Sequence, residues 1–308
     1  MYCLTRYARA RGAALDQLTI LFCGATGRLG ALASVLLDRG HRVLAATRDP
    51  ASAAAGRLRQ RGADIVRADF DDVAGLAAAA KRADAMVAAG TAHAAGPAGD
   101  VRHGRNVVDA AKAAGVGHLV YLTVAGAGQP TGVPMMDSKH AVERYLRGNK
   151  VPHTIVAPVY FMENLWNPWN AAAIAAGLLP GPVSPRRPLQ QIPIADVIAF
   201  TVHALESRDE MLSERVEIAS DEISTQEASA IISRLLGRSV GIADPPARQR
   251  GSLFEWLERA GTHVDVAALR RRYPQIRWHS FADWAATQDW QRLGAARDTP
   301  WHPARPLG

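Results

Sequence analysis

The chain has 308 residues, 48% of them hydrophobic and 21% charged, with a formal net charge of +7. Such a composition buries a sizeable core and has room for one large α/β domain or a nucleotide domain with a smaller lobe. No apolar run approaches the ~20 residues that cross a bilayer, and the first fifteen residues, with Arg6, Arg9 and Arg11, lack the continuous apolar stretch of a secretory signal.

The positive charge is almost all arginine and is dispersed, with lysine only at positions 81, 112, 139 and 150. No recognition helix or aromatic stacking array accompanies it, so nucleic acid is not expected as a partner. A basic balance still suits a phosphorylated cofactor. Cys3 and Cys23 have no metal-ligating neighbours, so reduced thiols in a cytoplasmic protein without a metal are expected.

Residues 1–16 read as an N-terminal extension, expected to be disordered. The run Leu18 to Cys23 is a strand, and a helix follows to about Arg39, stopped by Gly40. Between them lies Gly24-Ala25-Thr26-Gly27-Arg28-Leu29-Gly30. Glycines at these positions let the chain turn tightly, approach a pyrophosphate and seat the helix on the strand, whose unpaired N–H groups then face the anion. Further strands are expected at Arg42–Thr47, Asp64–Arg67, Ala85–Ala88, His118–Leu122 and His153–Val156. The helices between them start near Ala51, Val73, Asp100 and Asp137, with a glycine-containing loop from Ala89 to Gly99. This alternation predicts an α/β fold, a doubly wound parallel sheet of the Rossmann type.

After Pro158, prolines and tryptophans accumulate from Trp166 to Pro193 and read as a loop-rich lobe. A helix from Ala195 to Glu206 and the strand Glu214–Ala219 return to the main sheet. Ser224 and Glu227 have capping-box spacing before a helix that Gly237 closes. Helical patches surround Trp256 and Trp284, and the tail beyond Ala247 carries no assignment. The domain expectation is a nucleotide-binding domain over residues 17–158 and a smaller α/β lobe over 159–308, with 195–219 rejoining the sheet.

Gly24, Thr26, Gly27, Arg28, Leu29 and Gly30 are expected to cradle the pyrophosphate. An NAD site commonly places an acidic residue about 20 positions after the first glycine; here that stretch reads Thr47-Arg48. A guanidinium pairs with a 2′-phosphate, which favours NADP(H) over NAD(H). The alternative is a solvated Arg48 with Asp49 as the ribose acceptor. Asp69 and Phe70 end the third strand, where the adenine belongs, although Phe70 also suits the core. Ala89 and Gly90 after the fourth strand, Thr123 after the fifth and Pro158 after the sixth complete the cofactor face. His93 is a candidate ligand contact or simply a solvated loop residue.

The glycine turn, Asn106 to Val116, Ser138 to Glu143, Val156 to Asn164, Ile192 to Val197 and Ala219 to Ser224 occur in an order that resembles the NmrA-like branch of the atypical short-chain dehydrogenase/reductases, from about Leu18 to the C-terminus. The resemblance implies a Rossmann domain with a small C-terminal substrate lobe, binding NADP(H). Its members include reductases of quinones, phenylpropanoid-type compounds and triarylmethane dyes, and NADP-sensing regulators that have lost turnover and bind protein partners.

Short-chain dehydrogenases use a Tyr-x-x-x-Lys pair, in which the lysine lowers the pKa of the phenol. Four residues before Lys139 stands Met135, so this chain resembles members that keep the lysine alone. Lys139 is the first catalytic candidate, to hold the nicotinamide ribose or polarise a substrate. A solvated lysine paired with Glu143 at i+4 is the plain alternative. Tyr160 is the second candidate, as a proton donor or as a wall of an apolar pocket with His93, Phe161, Asn164 and Trp166. Ala157 stands where many relatives carry arginine. The expected function is NADPH-dependent hydride transfer to an apolar conjugated acceptor such as a quinone, in a monomer or homodimer. The alternative is a catalytically silent NADP(H) sensor acting through a regulatory protein partner.

Overall fold

The computed structural model describes residues 17–243 and 252–293. It begins with β1 (Thr19–Cys23), α1 (Ala31–Asp38), β2 (Arg42–Thr47), α2 (Ala53–Gln60), β3 (Asp64–Arg67), α3 (Val73–Ala80), β4 (Ala85–Ala89) and α4 (Ala92–Ala114). Next come β5 (His118–Leu122), α5 (Pro134–Gly148), β6 (His153–Pro158), β7 (Tyr160–Phe161), a 3₁₀ turn (Met162–Trp166) and α6 (Pro168–Ala175). The chain continues with β8 (Leu178–Pro180), β9 (Pro188–Ile192), α7 (Ile194–Glu206), α8 (Arg208–Met211), β10 (Arg215–Ile218), β11 (Asp221–Ser224) and α9 (Thr225–Leu236). It closes with β12 (Gly241–Ala243), α10 (Ser252–Arg259), α11 (Val266–Arg272) and α12 (Phe281–Ala286).

Seven strands form one sheet in the order β10-β6-β5-β4-β1-β2-β3. The β1–β2, β2–β3, β1–β4, β4–β5 and β5–β6 pairs are all parallel. The order reverses between β1 and β4, the switch point at which doubly wound sheets bind ligands beyond their carboxyl ends. β1, β4 and β5 are buried along almost their whole length, as expected of strands covered on both faces and written as continuous apolar runs. Smaller sheets pair β11, β9 and β7, and β12 with β8.

The described residues divide into two compact units. One holds the chain through Thr123, Asp137–Ala157 and Ile198–Val216. The other holds Val124–Met136, Pro158–Val197 and the chain from Glu217 onward. The first is centred on Leu21, Leu44, Met86, Leu119 and Ile155, with Val107 and Val108 of α4. The second is centred on Met162, Ile174, Ile223, Ile232, Phe281 and Trp284.

Two expectations are corrected here. The loop expected over 89–99 is mostly helix, because α4 starts at Ala92 and is broken only where Gly96 takes φ 68° and ψ 174° before Pro97. Proline lacks the N–H that an uninterrupted helix would use, so the break falls there and the helix resumes. The stretch 166–193 is also more regular than its prolines suggest: Pro168 occupies the first turn of α6, where proline is tolerated, and β9 finds its partner in β11. The capping box of Ser224 and Glu227 is present, and Gly237 closes α9 with φ 62°. Residues 1–16 lie outside the described residues, as does Cys3.

Candidate functional site

The glycine turn has a separate steric reason at each glycine. Gly24 takes φ 103°, which side-chain-bearing residues rarely adopt. A Cβ on Gly27 would lie 3.1 Å from the Gly24 carbonyl oxygen. One on Gly30 would lie 2.6 Å from the Ala25 carbonyl oxygen and 3.0 Å from that of Gly27. Two successive bonds, Gly27 N–H to Gly24 O and Gly30 N–H to Gly27 O, both 2.9 Å, wind the turn straight into α1. Its N-terminal N–H groups and dipole are suited to an anion. Thr26 and Arg28 are exposed, and Leu29 is half-buried. The Cys23 thiol, directly before the turn, is buried and pushed up to about 12, so it stays protonated.

At the end of β2, Thr47 Oγ1 accepts from Asp49 N–H at 3.2 Å. The Asp49 carboxylate accepts from Ala51 N–H at 2.9 Å and is thereby committed to its own turn. Arg48 is exposed and has no ion-pair partner among the described residues. At the end of β3, Asp69 Oδ1 accepts from Asp71 N–H at 3.0 Å. The Phe70 ring stacks on His103 at 5.5 Å between centroids, and the Phe70 carbonyl accepts from Asn106 Nδ2 at 2.7 Å. Phe70, Ala89, Gly90, Thr91, His103, Gly104, Val107 and Tyr121 line a shallow crevice.

Lys139 is neither solvated nor paired with Glu143. Its ammonium donates to both oxygens of Asp100 at 2.8 Å, and both residues are buried. Asp100 also accepts from Ser138 Oγ at 2.8 Å and from Thr91 N–H at 2.5 Å. Burial pulls the lysine below its ordinary pKa while Asp100 pushes the other way. Glu143 is occupied elsewhere, accepting from Arg215 at 2.7 Å and Arg147 at 3.0 Å. Gly90 leaves the space in which the lysine sits: a Cβ there would be 1.9 Å from Nζ and 2.9 Å from Asp100 Oδ1.

The β4–β5 register pairs Ala89 with Leu122, so Gly90 and Thr123 leave adjacent strands side by side. Thr123 Oγ1 is buried with no hydrogen-bond partner. His93 is exposed at the start of α4. Partial burial first, then the charges of Arg28 and Lys139, hold its imidazole below the ordinary range, with Asp100 opposing.

In the second unit, the Pro158 carbonyl accepts from Ala125 N–H at 2.9 Å. Tyr160 and Phe161 follow in β7, in register with Gln191 and Ile192 of β9. Tyr160 packs against Val183, Leu189 and Leu257. The Asn164 carbonyl accepts from Asn170 Nδ2 at 2.8 Å. Trp166, partly buried against the lobe's core, stacks on Trp290 at 5.2 Å and donates from Nε1 to Gln288 at 3.0 Å.

Reasoning from sequence missed Asp100 and the space-making role of Gly90. The signal for Asp100 was present: with Gly104, Val107, Val108 and Ala111 it shares the buried face of α4, an acidic residue on an apolar stripe. Among the described residues there is no cluster of His, Cys, Asp or Glu suited to a metal, and no helix is long and apolar enough to cross a membrane.

The sequence model of the NmrA-like family matches residues 16–249. Among curated proteins, the chain is 25% identical over 258 residues to the photosystem II assembly factor Ycf39 of Synechocystis sp., covering 80% of this chain and 78% of that protein. Among solved structures, it is similar to the NADPH-dependent quinone oxidoreductase QOR2 of Escherichia coli, complexed with NADPH. That match has a TM-score of 0.74 and 20% identity, and covers 87% of this chain and 98% of that one. It is also similar to NmrA, a negative transcriptional regulator, in complex with NADP, with a TM-score of 0.71, 18% identity, and coverage of 90% and 99%. At these identities the structural likeness shows a shared fold.

Proposed function

The chain belongs to the NmrA-like family, and from that premise we propose that it binds NADP(H) and reduces an apolar conjugated acceptor such as a quinone. Three features fit the cofactor: the steric demand for glycine at positions 24, 27 and 30, the exposed Arg48 at the end of β2, and the buried, unpartnered Thr123 hydroxyl. The glycine turn with the α1 N-terminus would hold the pyrophosphate, and Arg48 a 2′-phosphate. Asp69 and Phe70 would hold the adenine. Ala89, Gly90, Thr123 and Pro158 would lie along the cofactor. Bound there, the nicotinamide supplies the hydride.

One observation carries the choice of acceptor: Lys139 is a cation locked in place by Asp100, and Met135 stands where a coupled phenol would be. The chain therefore supplies fixed positive charge without that proton donor. This suits an acceptor whose reduced anion is delocalised and takes its proton from water, as a quinone does. Lys139 then orients the ribose and stabilises the developing negative charge. Tyr160, Phe161, Asn164 and Trp166 are assigned to the acceptor side, together with His93.

The second reading is a silent NADP(H) sensor, and one fact favours it: Asp100 already neutralises Lys139 inside the protein. Calorimetric titration with NADPH and NADH, followed by NADPH consumption against a panel of quinones and triarylmethane dyes, separates the two. Turnover on at least one acceptor is expected. Tight NADPH binding with no turnover on any of them would favour the sensor, and no binding of either nucleotide would overturn both readings.

A further inference from the structure

The stretch around Trp256 has no place in the reading above, yet it meets the residues assigned to the acceptor. In α10, Leu253, Phe254, Trp256 and Leu257 fall on one helical stripe, with Glu255, Glu258 and Arg259 outside it. Leu257 is buried with Val183 and Leu189, and Tyr160, Leu253, Phe254 and Trp256 pack around that trio while remaining partly exposed. The indole also presses on the turn after β5. A Cβ on Gly126 would lie 2.7 Å from Trp256 Cη2, 3.1 Å from its Cζ2 and 2.9 Å from Met136 Cε.

Gly126 takes φ 84°, and its N–H donates to Glu217 Oε1 at 2.8 Å, which pins the turn beneath the ring. The helix is anchored from its other side as well: Glu258 accepts from Ser184 N–H and Oγ, both at 2.7 Å, and Arg187 Nε donates to the Leu257 carbonyl at 3.3 Å. Gly126 lies four residues beyond the last residue of β5 and Tyr160 two beyond the last of β6, and the Ala125–Pro158 hydrogen bond joins these two exits. Ligands of open parallel sheets lie beyond such carboxyl ends. Trp256 and Tyr160 are thus two partly buried aromatic side chains of one apolar cluster, in the unit that takes up the segments following β5 and β6.

We propose that Trp256 is the specificity-determining residue of the acceptor site, an indole wall that with Tyr160 selects a flat aromatic acceptor over an aliphatic carbonyl compound. This rests on the hydride-transfer reading. The test uses the full chain with NADPH and compares wild type, W256F and W256A on 2-methyl-1,4-naphthoquinone and on butane-2,3-dione. Loss of an aromatic stacking partner is expected to raise KM for the naphthoquinone by roughly tenfold in W256A and by a few-fold in W256F. KM for the diketone and the NADPH affinity should move by less than about twofold. Equal shifts for both acceptors, or none for either, would overturn the assignment.

Should W256A fail to fold, W256F against wild type carries the same comparison. Should the wild type turn over neither of these acceptors nor any quinone or dye of the wider panel, the hydride-transfer reading fails. Equilibrium dialysis of the naphthoquinone against wild type and W256F, each with NADP⁺, then judges Trp256 separately: weaker binding to W256F supports the wall, and equal binding or none rejects it.

Discussion

Replacing Asp100 with alanine is the most informative single perturbation of the first unit. The Asp100 side chain is fully buried, and the Lys139 side chain is 10% exposed. The carboxylate receives two contacts from Lys139, one from Ser138 and one from the Thr91 N–H. Removing it strands an ammonium with almost no access to water and takes away the carboxylate to which Ser138 Oγ and the Thr91 N–H donate. Breaking a buried pair from one side costs about 3–5 kcal/mol. A domain's whole stability is about 5–15 kcal/mol, so D100A should lose a large share of it.

Lys139→Met strands the carboxylate instead, with Ser138 and Thr91 still donating, and falls toward the lower end of the same range. The double variant D100A/K139M buries no charge and should be more stable than D100A. Urea unfolding of the four proteins closes a double-mutant cycle, with an expected coupling of at least about 2 kcal/mol. Additive losses would refute the reasoning, as would a D100A midpoint within error of wild type. Either would mean that the pair is hydrated and contributes nothing as a unit.

Gly30→Ala forces a methyl group to within 2.6 Å of the Ala25 carbonyl oxygen; the turn must open, and NADPH affinity by calorimetry should fall at least about tenfold, a fall of less than threefold counting against the turn as the anion cradle. Arg48→Ala should weaken NADPH by about tenfold while leaving NADH nearly unchanged, and equal losses for both nucleotides would remove Arg48 from the 2′-phosphate. His118 supplies a pH prediction. Thr154 Oγ1 donates to the Met211 carbonyl, so His118 Nε2–H donates to Thr154, and Nδ1 is buried without a partner. Burial, helped by Arg208 and His153, depresses the imidazole from 6.5 to about 3. The unfolded chain therefore takes up a proton that the folded chain refuses, and stability falls as pH drops from 6.5 towards 3, by about 1.4 kcal/mol per unit. H118Q should flatten the pH dependence of the urea midpoint between pH 4 and 6 by one proton's worth; an unchanged slope would show that His118 does not titrate this way.

What was legible in the sequence depended on how local its cause was. β2, β3 and β5 run over the residues their patterns indicate: β2 and β5 because a strand covered on both faces is written as an apolar run, and β3, at the edge of the sheet, because Ile65 and Val66 stand between charged ends. The glycine turn was legible because each glycine answers a short-range clash or a positive φ. The Lys139–Asp100 pair was not, since its partners stand 39 residues apart and only the close passage of α4 and α5 joins them. Glu143, at i+4, was the nearer candidate by helical spacing, and Arg215 from a distant strand claims it instead. The Gly96-Pro97 break misled because the same dipeptide ends a helix or interrupts one, and only packing decides which. β8 and β9 were hidden for a related reason: short segments that contain proline become strands here because β12 and β11 pair with them.

The claim of Arg215 on Glu143 bears on how this protein is made. The first unit closes only when β10 arrives: Ile155 N–H needs the Glu214 carbonyl at 2.9 Å, Thr154 Oγ1 needs the Met211 carbonyl, and the buried Glu143 needs Arg215. Those residues are translated after the intervening stretch Pro158–Val197, which belongs to the other unit. A nascent chain must therefore hold an incomplete sheet edge and a charged, half-satisfied glutamate until residue 216 has left the ribosome. Any fragment that stops short of that point inherits the same open edge, with the tendency of such edges to pair with a neighbouring chain.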